Sequence, residues 1–166
     1  TGLLMLDLDR FKRINDLYGH EAGNAALIWS SNLLRSTLRR IDIPCRYGGE
    51  EFVVILPATR LESAIQAAER LRLALSRAPL DLAGGPVLLT GSFGVDAFTA
   101  EMDLGEGELL DRVDRALLQA KAEGRNCIRW RPPGRAEGGT DLSVLAQPVD
   151  GVITEQVDRL VGFLDR

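Results

Sequence analysis

The stretch PCRYGGEEFVVILP, residues 44–57, predicts a β-hairpin. Two short apolar segments flank a Gly48-Gly49 turn, and Pro57 closes the second segment. A turn this short joins antiparallel neighbours, because parallel strands need a much longer crossover connection. A second turn signal at residues 84–86 has the same consequence. The sheet is therefore expected to be largely antiparallel, and a doubly wound parallel sheet is not expected.

Strands and helices surround this hairpin. Residues 3–8, LLMLDL, form a short apolar run that is typical of a buried strand. Apolar residues at helical spacing predict three helices: 21–40, 61–76 and 105–123. Gly124 is the predicted C-cap of the last helix. One further strand is predicted after the turn at residues 84–86, and another at residues 126–130. This order predicts an α/β (α+β) sandwich whose mixed, largely antiparallel sheet is flanked by helices.

The composition fits one globular domain with an appended segment. Of the 166 residues, 45% are hydrophobic and 27% are charged, and the net charge of -4 gives no bulk reason to bind nucleic acid. Cys45 and Cys127 lack metal-site spacing and indicate free thiols in a reducing compartment. No apolar run approaches the roughly 20 residues that span a bilayer. We expect a cytoplasmic location, with membrane attachment only through absent regions of a longer protein.

The composition changes after Trp130. Residues 131–152 begin RPPGRAEGG and are predicted to form a linker, because they are rich in Pro, Gly and charge. The last segment carries apolar residues at helical spacing: Val157, Leu160, Val161 and Leu164. We interpret residues 153–166 as an amphipathic helix, docked on the domain or leading to a next segment, in preference to a dimerisation element.

Carboxylates from two elements are predicted to meet at one edge of the sheet. The first strand ends in Asp7 and Asp9, and Glu50 and Glu51 lie at the hairpin turn, so that Asp7 is expected to face Glu50. Carboxylates this close raise each other's pKa, and a divalent cation relieves the repulsion. Oxygen ligands favour Mg²⁺, which shares its shell with substrate phosphates. Each carboxylate alone is as readily a solvated group, but DLD together with GGEE favours the metal site.

Glycines and cations extend this site. Gly48 and Gly49 permit positive φ and leave no side chain in the path of a ligand, although a hairpin turn alone also explains them. Lys12 follows the first strand, and Lys121 and Arg125 are expected about one turn apart on one helix face. Cations there also complement the helix dipole. Beside the carboxylates they become a candidate triphosphate clamp.

Three spaced motifs resemble the GGDEF-domain diguanylate cyclases, and the resemblance covers residues 3–130. The motifs are DLDRFKRINDLYGHEAGN (7–24), RRIDIPCRYGGEEF (39–52) and VDRALLQAKAEGRN (113–126). The resemblance implies a nucleotidyl-cyclase-like fold and the condensation of two GTP molecules into cyclic di-GMP, with release of pyrophosphate. Since one domain holds one GTP, it also implies an antiparallel homodimer. We expect residues 1–130 to form this domain.

The resemblance also implies roles for individual residues. Asp7, Glu50 and the backbone carbonyl of Leu8 would bind Mg²⁺ or Mn²⁺, and Glu51 would be a supporting or base-like carboxylate. The implied triphosphate contacts are Lys12, Lys121, Arg125 and, through its backbone, Phe11. Asn15 and Asn24 would contact guanine beside the open Gly48-Gly49 turn.

The RRID motif is similar to the family's inhibitory product site. Arg39 and Asp42 lie at a fixed offset before the Gly-Gly turn, and Arg70 would complete the site. An arginine grips guanine or phosphate with two hydrogen bonds, while a carboxylate accepts from guanine N–H groups. Alone, such a motif usually marks a surface ion pair. Its offset from GGEEF favours a site for cyclic di-GMP.

The sequence departs from the family at Asn24, where aspartate is usual. Asparagine offers one acceptor and one donor where aspartate offers two acceptors to guanine. We expect weaker GTP binding, and as a second hypothesis some use of ATP to make a mixed cyclic dinucleotide. Another alternative is a non-catalytic domain that senses cyclic di-GMP or GTP, although the intact carboxylates argue against it.

The second departure lies at the N-terminus. The family usually carries a helix and a DxLTGL-like element before the first strand, whereas this chain begins TGLLMLDLD. We expect the N-terminal helix to be missing or trimmed, with residues 1–3 as a remnant of that element.

Overall fold

The computed structural model describes residues 1–99, 102 and 107–130. The strands are β1 Gly2–Leu8, β2 Ile43–Gly48, β3 Glu51–Leu56, β4 Pro79–Leu82, β5 Gly85–Leu88, β6 Gly91–Ala97 and β7 Ile128–Trp130. The helices are α1 Phe11–Tyr18, α2 His20–Thr37, α3 Leu61–Arg77 and α4 Glu108–Ala122. The sequence predicted β1, β2, β3, α2, α3, α4 and β7, but it did not predict α1. In the region of β4, β5 and β6 it predicted only one strand, after the turn at residues 84–86. The predicted linker and C-terminal helix, 131–152 and 153–166, lie outside the described residues.

The sheet confirms the predicted mixed, largely antiparallel arrangement. Its five strands have the order β2-β3-β1-β6-β7, and β1 pairs antiparallel with both β3 and β6. The 44–57 hairpin is formed by β2 and β3, and only the β6–β7 pair is parallel within this sheet. Strands β4 and β5 form a separate hairpin. The central position of β1 brings its carboxyl end beside the hairpin turn.

The two faces of the sheet are covered by different helices. Leu4, Leu6 and Leu8 of β1 pack into the core cluster that includes residues of α1, α2 and α3. Leu3 and Met5 face the other way and pack with residues of α4. Successive side chains of a strand point to opposite faces. Odd-numbered residues of β1 therefore lie on the α4 face.

Helix α4 lies unusually close to β6. A Cβ on Gly94 would be 2.0 Å from the carbonyl oxygen of Val113 and 2.6 Å from the backbone nitrogen of Leu117. Both neighbouring atoms belong to the helix backbone, which cannot turn aside as the end of a side chain can. Glycine at this position therefore sets the distance between α4 and the sheet.

A glycine of α2 also leaves room for side chains of α1. Phe11 and Ile14 of α1 are buried in the core, and a Cβ on Gly23 of α2 would be 1.9 Å from Oδ1 of Asn15. The glycine thus leaves room for the Asn15 amide at the junction of the two helices.

Among the described helices, none has the length and apolar character needed to cross a membrane.

Candidate active site

Three charged side chains from separate parts of the chain meet at one end of the sheet. The register of β1 and β3 pairs Asp7 with Glu51, and both side chains lie on the face that α4 covers. Nζ of Lys121, in the last turn of α4, is 2.7 Å from Oδ2 of Asp7 and 4.0 Å from Oε1 of Glu51. The cluster of Asp7, Glu51 and Lys121 therefore combines the central strand, the hairpin and α4.

The prediction that Asp7 faces Glu50 was wrong by one residue. Strand β3 begins at Glu51, so Glu51 is the residue opposite Asp7, and Glu50 belongs to the preceding turn. The carbonyl of Glu50 accepts a hydrogen bond from the N–H of Leu8 at 3.3 Å. This bond keeps the turn beside the end of β1, so Glu50 remains next to the cluster.

The hairpin turn is held by an arginine and is open to solvent. Nε and Nη2 of Arg46 donate to the carbonyl of Gly49 at 3.1 and 2.7 Å. Neither Gly48 nor Gly49 adopts the positive φ that glycine permits. A Cβ on Gly49 would have no atom of another residue within 4 Å beyond its chain neighbours. Free approach to the backbone, rather than a left-handed conformation, is what glycine provides at Gly49.

Burial raises the pKa of both strand carboxylates above their ordinary values. For Asp7 the hydrogen bond and charge of Lys121 oppose this rise, while the charges of Glu50 and Asp9 add to it. For Glu51 the charge of Lys121 again opposes it, and the neighbouring acidic groups add to it. Two carboxylates that share one lysine and resist ionisation form a site that favours additional positive charge.

We expect Glu51→Gln to raise the melting temperature of the metal-free protein at pH 7–8. The folded-state pKa of Glu51 lies above its unfolded value, so the folded protein binds more protons and loses stability as pH rises between the two values. The neutral amide avoids this loss, and the advantage should vanish below about pH 4, where an unfolded glutamate is also protonated. Melting curves in a chelator from pH 4 to 8 measure it.

A matched control for this experiment is Asp81→Asn, which changes an exposed carboxylate on β4. Its melting temperature should follow that of the wild type across the pH range. A lower melting temperature for Glu51→Gln at pH 7 would contradict the expected cost of the buried charge.

The donor chemistry of the site fits a divalent cation. Within the part of the chain that the structure describes, no three His, Cys, Asp or Glu side chains form a group that would hold a metal ion unaided. Mg²⁺ usually takes only one or two protein carboxylates and fills its shell with water and substrate phosphates. Asp7, Glu50 and Glu51 lie close enough for their charges to act on one another, so any two of them supply that number of carboxylates.

Four other predicted nucleotide contacts lie on α1 and α2, which pack on the sheet face opposite α4. Lys12 is exposed on the first turn of α1, and the side chain of Phe11 is buried, which leaves its backbone for a ligand. Asn24 is exposed and adjoins Gly23, the residue that accommodates Asn15. The two asparagines therefore lie near one another at the α1–α2 junction.

Arg125 is placed differently from the prediction. Helix α4 ends at Ala122, and Arg125 lies beyond it with a φ of 67°, so the argument from one shared helix face does not apply. The residue is exposed. It follows Lys121 through a left-handed turn, which brings the two cations to the same end of the helix.

The RRID motif forms a closed loop between α2 and β2. Oδ2 of Asp42 accepts from the N–H of Arg39 at 2.8 Å, and the N–H of Asp42 donates to the carbonyl of Arg39 at 3.0 Å. Asp42 is 7% exposed, and its Oδ1 has no hydrogen-bond partner among the described residues. Arg39 and Arg70 are exposed. The aspartate thus shapes the loop, while the two arginines face solvent.

Two acidic residues near the cluster were not assigned a role from sequence. Asp9 is buried and accepts hydrogen bonds from three residues in two segments of the chain. Asp114 lies on α4, and its charge raises the pKa of Glu51. In the sequence, the one signal that could place Asp114 near the cluster is its spacing from Lys121: seven residues apart on one helix, the two lie on the same face.

Known proteins resemble the chain over the same residues. The sequence profile described as "Diguanylate cyclase, GGDEF domain" matches residues 1–127. The response regulator PleD of Caulobacter vibrioides is 48% identical over 127 residues, which are 75% of this chain and 28% of PleD. The chain thus spans about a quarter of the length of such curated relatives.

Solved structures show the same fold. The active GGEEF domain of a diguanylate cyclase from Vibrio cholerae has a TM-score of 0.73 and 29% identity, covering 80% of this chain and 83% of that one. The GGDEF domain of DgcB from Caulobacter crescentus, in complex with c-di-GMP, has a TM-score of 0.71 and 26% identity, with coverages of 78% and 76%.

Proposed function

Because this chain belongs to the GGDEF family of diguanylate cyclases, we propose that it condenses two GTP molecules into cyclic di-GMP and releases pyrophosphate. The observation that carries the proposal is the cluster of Asp7, Glu51 and Lys121, in which two carboxylates of raised pKa share one ammonium. Such a cluster is costly for the fold and suits a site that binds cations with phosphates.

In the proposed reaction the 3′-hydroxyl of one GTP attacks the α-phosphate of the other, and pyrophosphate leaves. Asp7, Glu50 and the carbonyl of Leu8 would hold Mg²⁺ or Mn²⁺, with Glu51 as a supporting carboxylate. The bound cation would lower the pKa of the hydroxyl and stabilise charge on the phosphate oxygens. Lys121 would exchange its contact with Asp7 for one with the triphosphate.

The remaining protein groups bind and orient the nucleotide in this proposal. Lys12, Arg125 and the backbone at Phe11 contact the triphosphate, and Asn15 and Asn24 contact guanine. The open backbone at Gly49, next to Gly48, lets the nucleotide approach the hairpin. These groups surround one nucleotide, so the proposal includes an antiparallel homodimer that brings two GTP molecules together.

Product binding at the RRID loop is a further part of the proposal. Arg39 and Arg70 are exposed and cationic, whereas the unpartnered oxygen of Asp42 is buried within the described residues, so the loop would have to open for it to meet guanine. These groups suit the phosphates and guanines of cyclic di-GMP. A domain of similar fold was solved in complex with c-di-GMP, which supports binding of this product to the fold.

Incubation with GTP and Mg²⁺, followed by chromatography, tests the proposed activity. We expect cyclic di-GMP to accumulate, with a rate that rises more than linearly with protein concentration while dimers are forming. Addition of a chelator should stop product formation. Absence of product from a verified dimer would reject the cyclase and favour a domain that only senses nucleotides.

We expect Asn24→Asp to tighten GTP binding by about tenfold. The amide of Asn24 opposes a guanine donor with a donor, and an unsatisfied donor costs about 1–3 kcal/mol. Reactions given GTP, ATP or both, with products resolved by mass, also test whether Asn24 admits adenine. Any mixed product should disappear in the Asn24→Asp variant. Purely GTP-derived product at equal affinity in both proteins would contradict both hypotheses.

A further inference from the structure

A left-handed turn follows α4 at residues 124–126. Gly124, Arg125 and Asn126 have φ values of 115°, 67° and 45°. Glycine adopts this conformation readily and asparagine tolerates it, whereas it costs an ordinary side chain such as that of Arg125 about 1–2 kcal/mol. Non-glycine residues remain in such conformations where the surrounding structure holds them, and they cluster at functional sites. The turn therefore depends on contacts from outside it.

Asn126 is held from two sides. Its backbone N–H donates to Oδ2 of Asp9 at 2.9 Å. Its carbonyl oxygen and Oδ1 accept from Nη1 of Arg72 at 3.3 and 3.1 Å. Arg72 is in turn fixed by two hydrogen bonds to Glu69, at 2.7 and 2.8 Å. Both the donor and the acceptor groups of the Asn126 backbone thus have partners in distant segments.

Asp9 connects this turn to the sheet. Its carboxylate accepts from the hydroxyl of Thr90 at 2.7 Å on Oδ2 and from that of Ser92 at 2.6 Å on Oδ1. Its N–H donates to the carbonyl of Thr90 at 2.8 Å, and the residue is 8% exposed. One buried carboxylate therefore joins the end of β1, the start of β6 and the turn after α4.

We propose that Asp9 is a positioning residue, which holds the turn at 124–126 so that Arg125 and Lys121 present their charges beside Asp7. Asp9 lies two residues from Asp7, and its acceptor oxygens are occupied by donors of the protein itself. Arg125 immediately precedes the amide that Asp9 holds. The nucleotide part of this inference rests on the proposed function, whereas the fixing of the turn by Asp9 rests on the contacts alone.

Three variants separate this role from a general structural one. Asp9→Ala removes all contacts of the carboxylate. Asp9→Asn keeps an acceptor for the Asn126 amide, and its NH₂ can donate to the Ser92 hydroxyl, which is able to accept. Ser92→Ala removes a hydrogen bond from Oδ1 and leaves the bond between Oδ2 and Asn126 in place.

The measurements are hydrogen exchange of the Asn126 amide by NMR and GTP affinity by calorimetry in the presence of Mg²⁺. We expect Asp9→Ala to speed exchange at least tenfold and to weaken GTP binding about tenfold, while Asp9→Asn stays within about threefold of the wild type in both. Ser92→Ala should lower the melting temperature without changing either quantity.

Unchanged exchange at Asn126 in Asp9→Ala would overturn the inference, as would equal effects of Asp9→Ala and Ser92→Ala on GTP binding. If Asp9→Asn changed exchange and GTP affinity as much as Asp9→Ala, the charge of Asp9 would be required, whereas the inference requires only its hydrogen bonds. A wild-type protein that binds GTP but forms no product would reject the proposed activity alone, because exchange and affinity are measured without turnover.

Discussion

Asp7→Asn is expected to lower the rate of cyclic di-GMP formation by about 10²–10³-fold. The variant keeps the shape of the side chain but removes the carboxylate that lies on the central strand, 2.7 Å from Nζ of Lys121. Loss of a carboxylate that holds a catalytic cation costs several kcal/mol of transition-state stabilisation, and each 1.4 kcal/mol is about tenfold in rate. Product formed at saturating GTP, quantified by chromatography, gives this ratio.

The fold should tolerate the same substitution. Burial raises the pKa of Asp7, which means that the folded protein disfavours its charge and accepts a neutral amide. The melting temperature of Asp7→Asn is therefore expected to equal or exceed that of the wild type. Asp81→Asn, at an exposed position on β4, is the matched control and should keep full activity. An Asp7→Asn enzyme within tenfold of the wild-type rate would remove Asp7 from the proposed mechanism.

Gly94→Ala is expected to destabilise the domain by at least about 3 kcal/mol, or to prevent folding. The added methyl group would meet the backbone of α4 at Val113 and Leu117, at 2.0 and 2.6 Å. To remove this overlap the whole helix must move away from β6, and the close packing between helix and strand is then lost. Urea unfolding followed by circular dichroism measures the loss.

Alanine substitutions at two other glycines should have smaller effects on stability and serve as comparisons. Gly49→Ala adds a methyl group into open space and should change stability by less than about 0.5 kcal/mol. A Cβ on Gly91 would be 2.4 Å from Cδ1 of Leu6, the end of a side chain that can shift, so Gly91→Ala should have an intermediate effect. Equal stability of the Gly94 and Gly49 variants would contradict the close contact between α4 and the sheet.

Helix α1 shows where local pattern was insufficient. It has eight residues, and only Phe11 and Ile14 are buried. A helix this short is not stable alone and gives few periods of an apolar repeat. It also begins after Arg10, whose φ of 55° is not a sequence-readable start signal. Its packing against α2, rather than its own pattern, makes it a helix.

Most of the sheet was predictable because its signals are local. The β2–β3 hairpin follows from two apolar segments around a short turn, and apolar runs mark β1 and β6. The acidic residues of the site were likewise apparent as DLD and GGEE, because carboxylates interrupt buried strands. The residue opposite each carboxylate was harder to assign, because moving the start of a turn by one residue shifts the register of the paired strands by one residue.

Local sequence signals were sufficient to predict the antiparallel hairpin, the helices with enough apolar repeats and the acidic, glycine-rich end of the sheet. Long-range packing sets three other features: Glu51, not Glu50, pairs with Asp7, Lys121 lies near both carboxylates, and Asp9 holds Asn126. These contacts join groups as many as 117 positions apart in the chain. Local propensity acts over a few residues, whereas such pairings depend on strand register and on how closely α4 packs against Gly94.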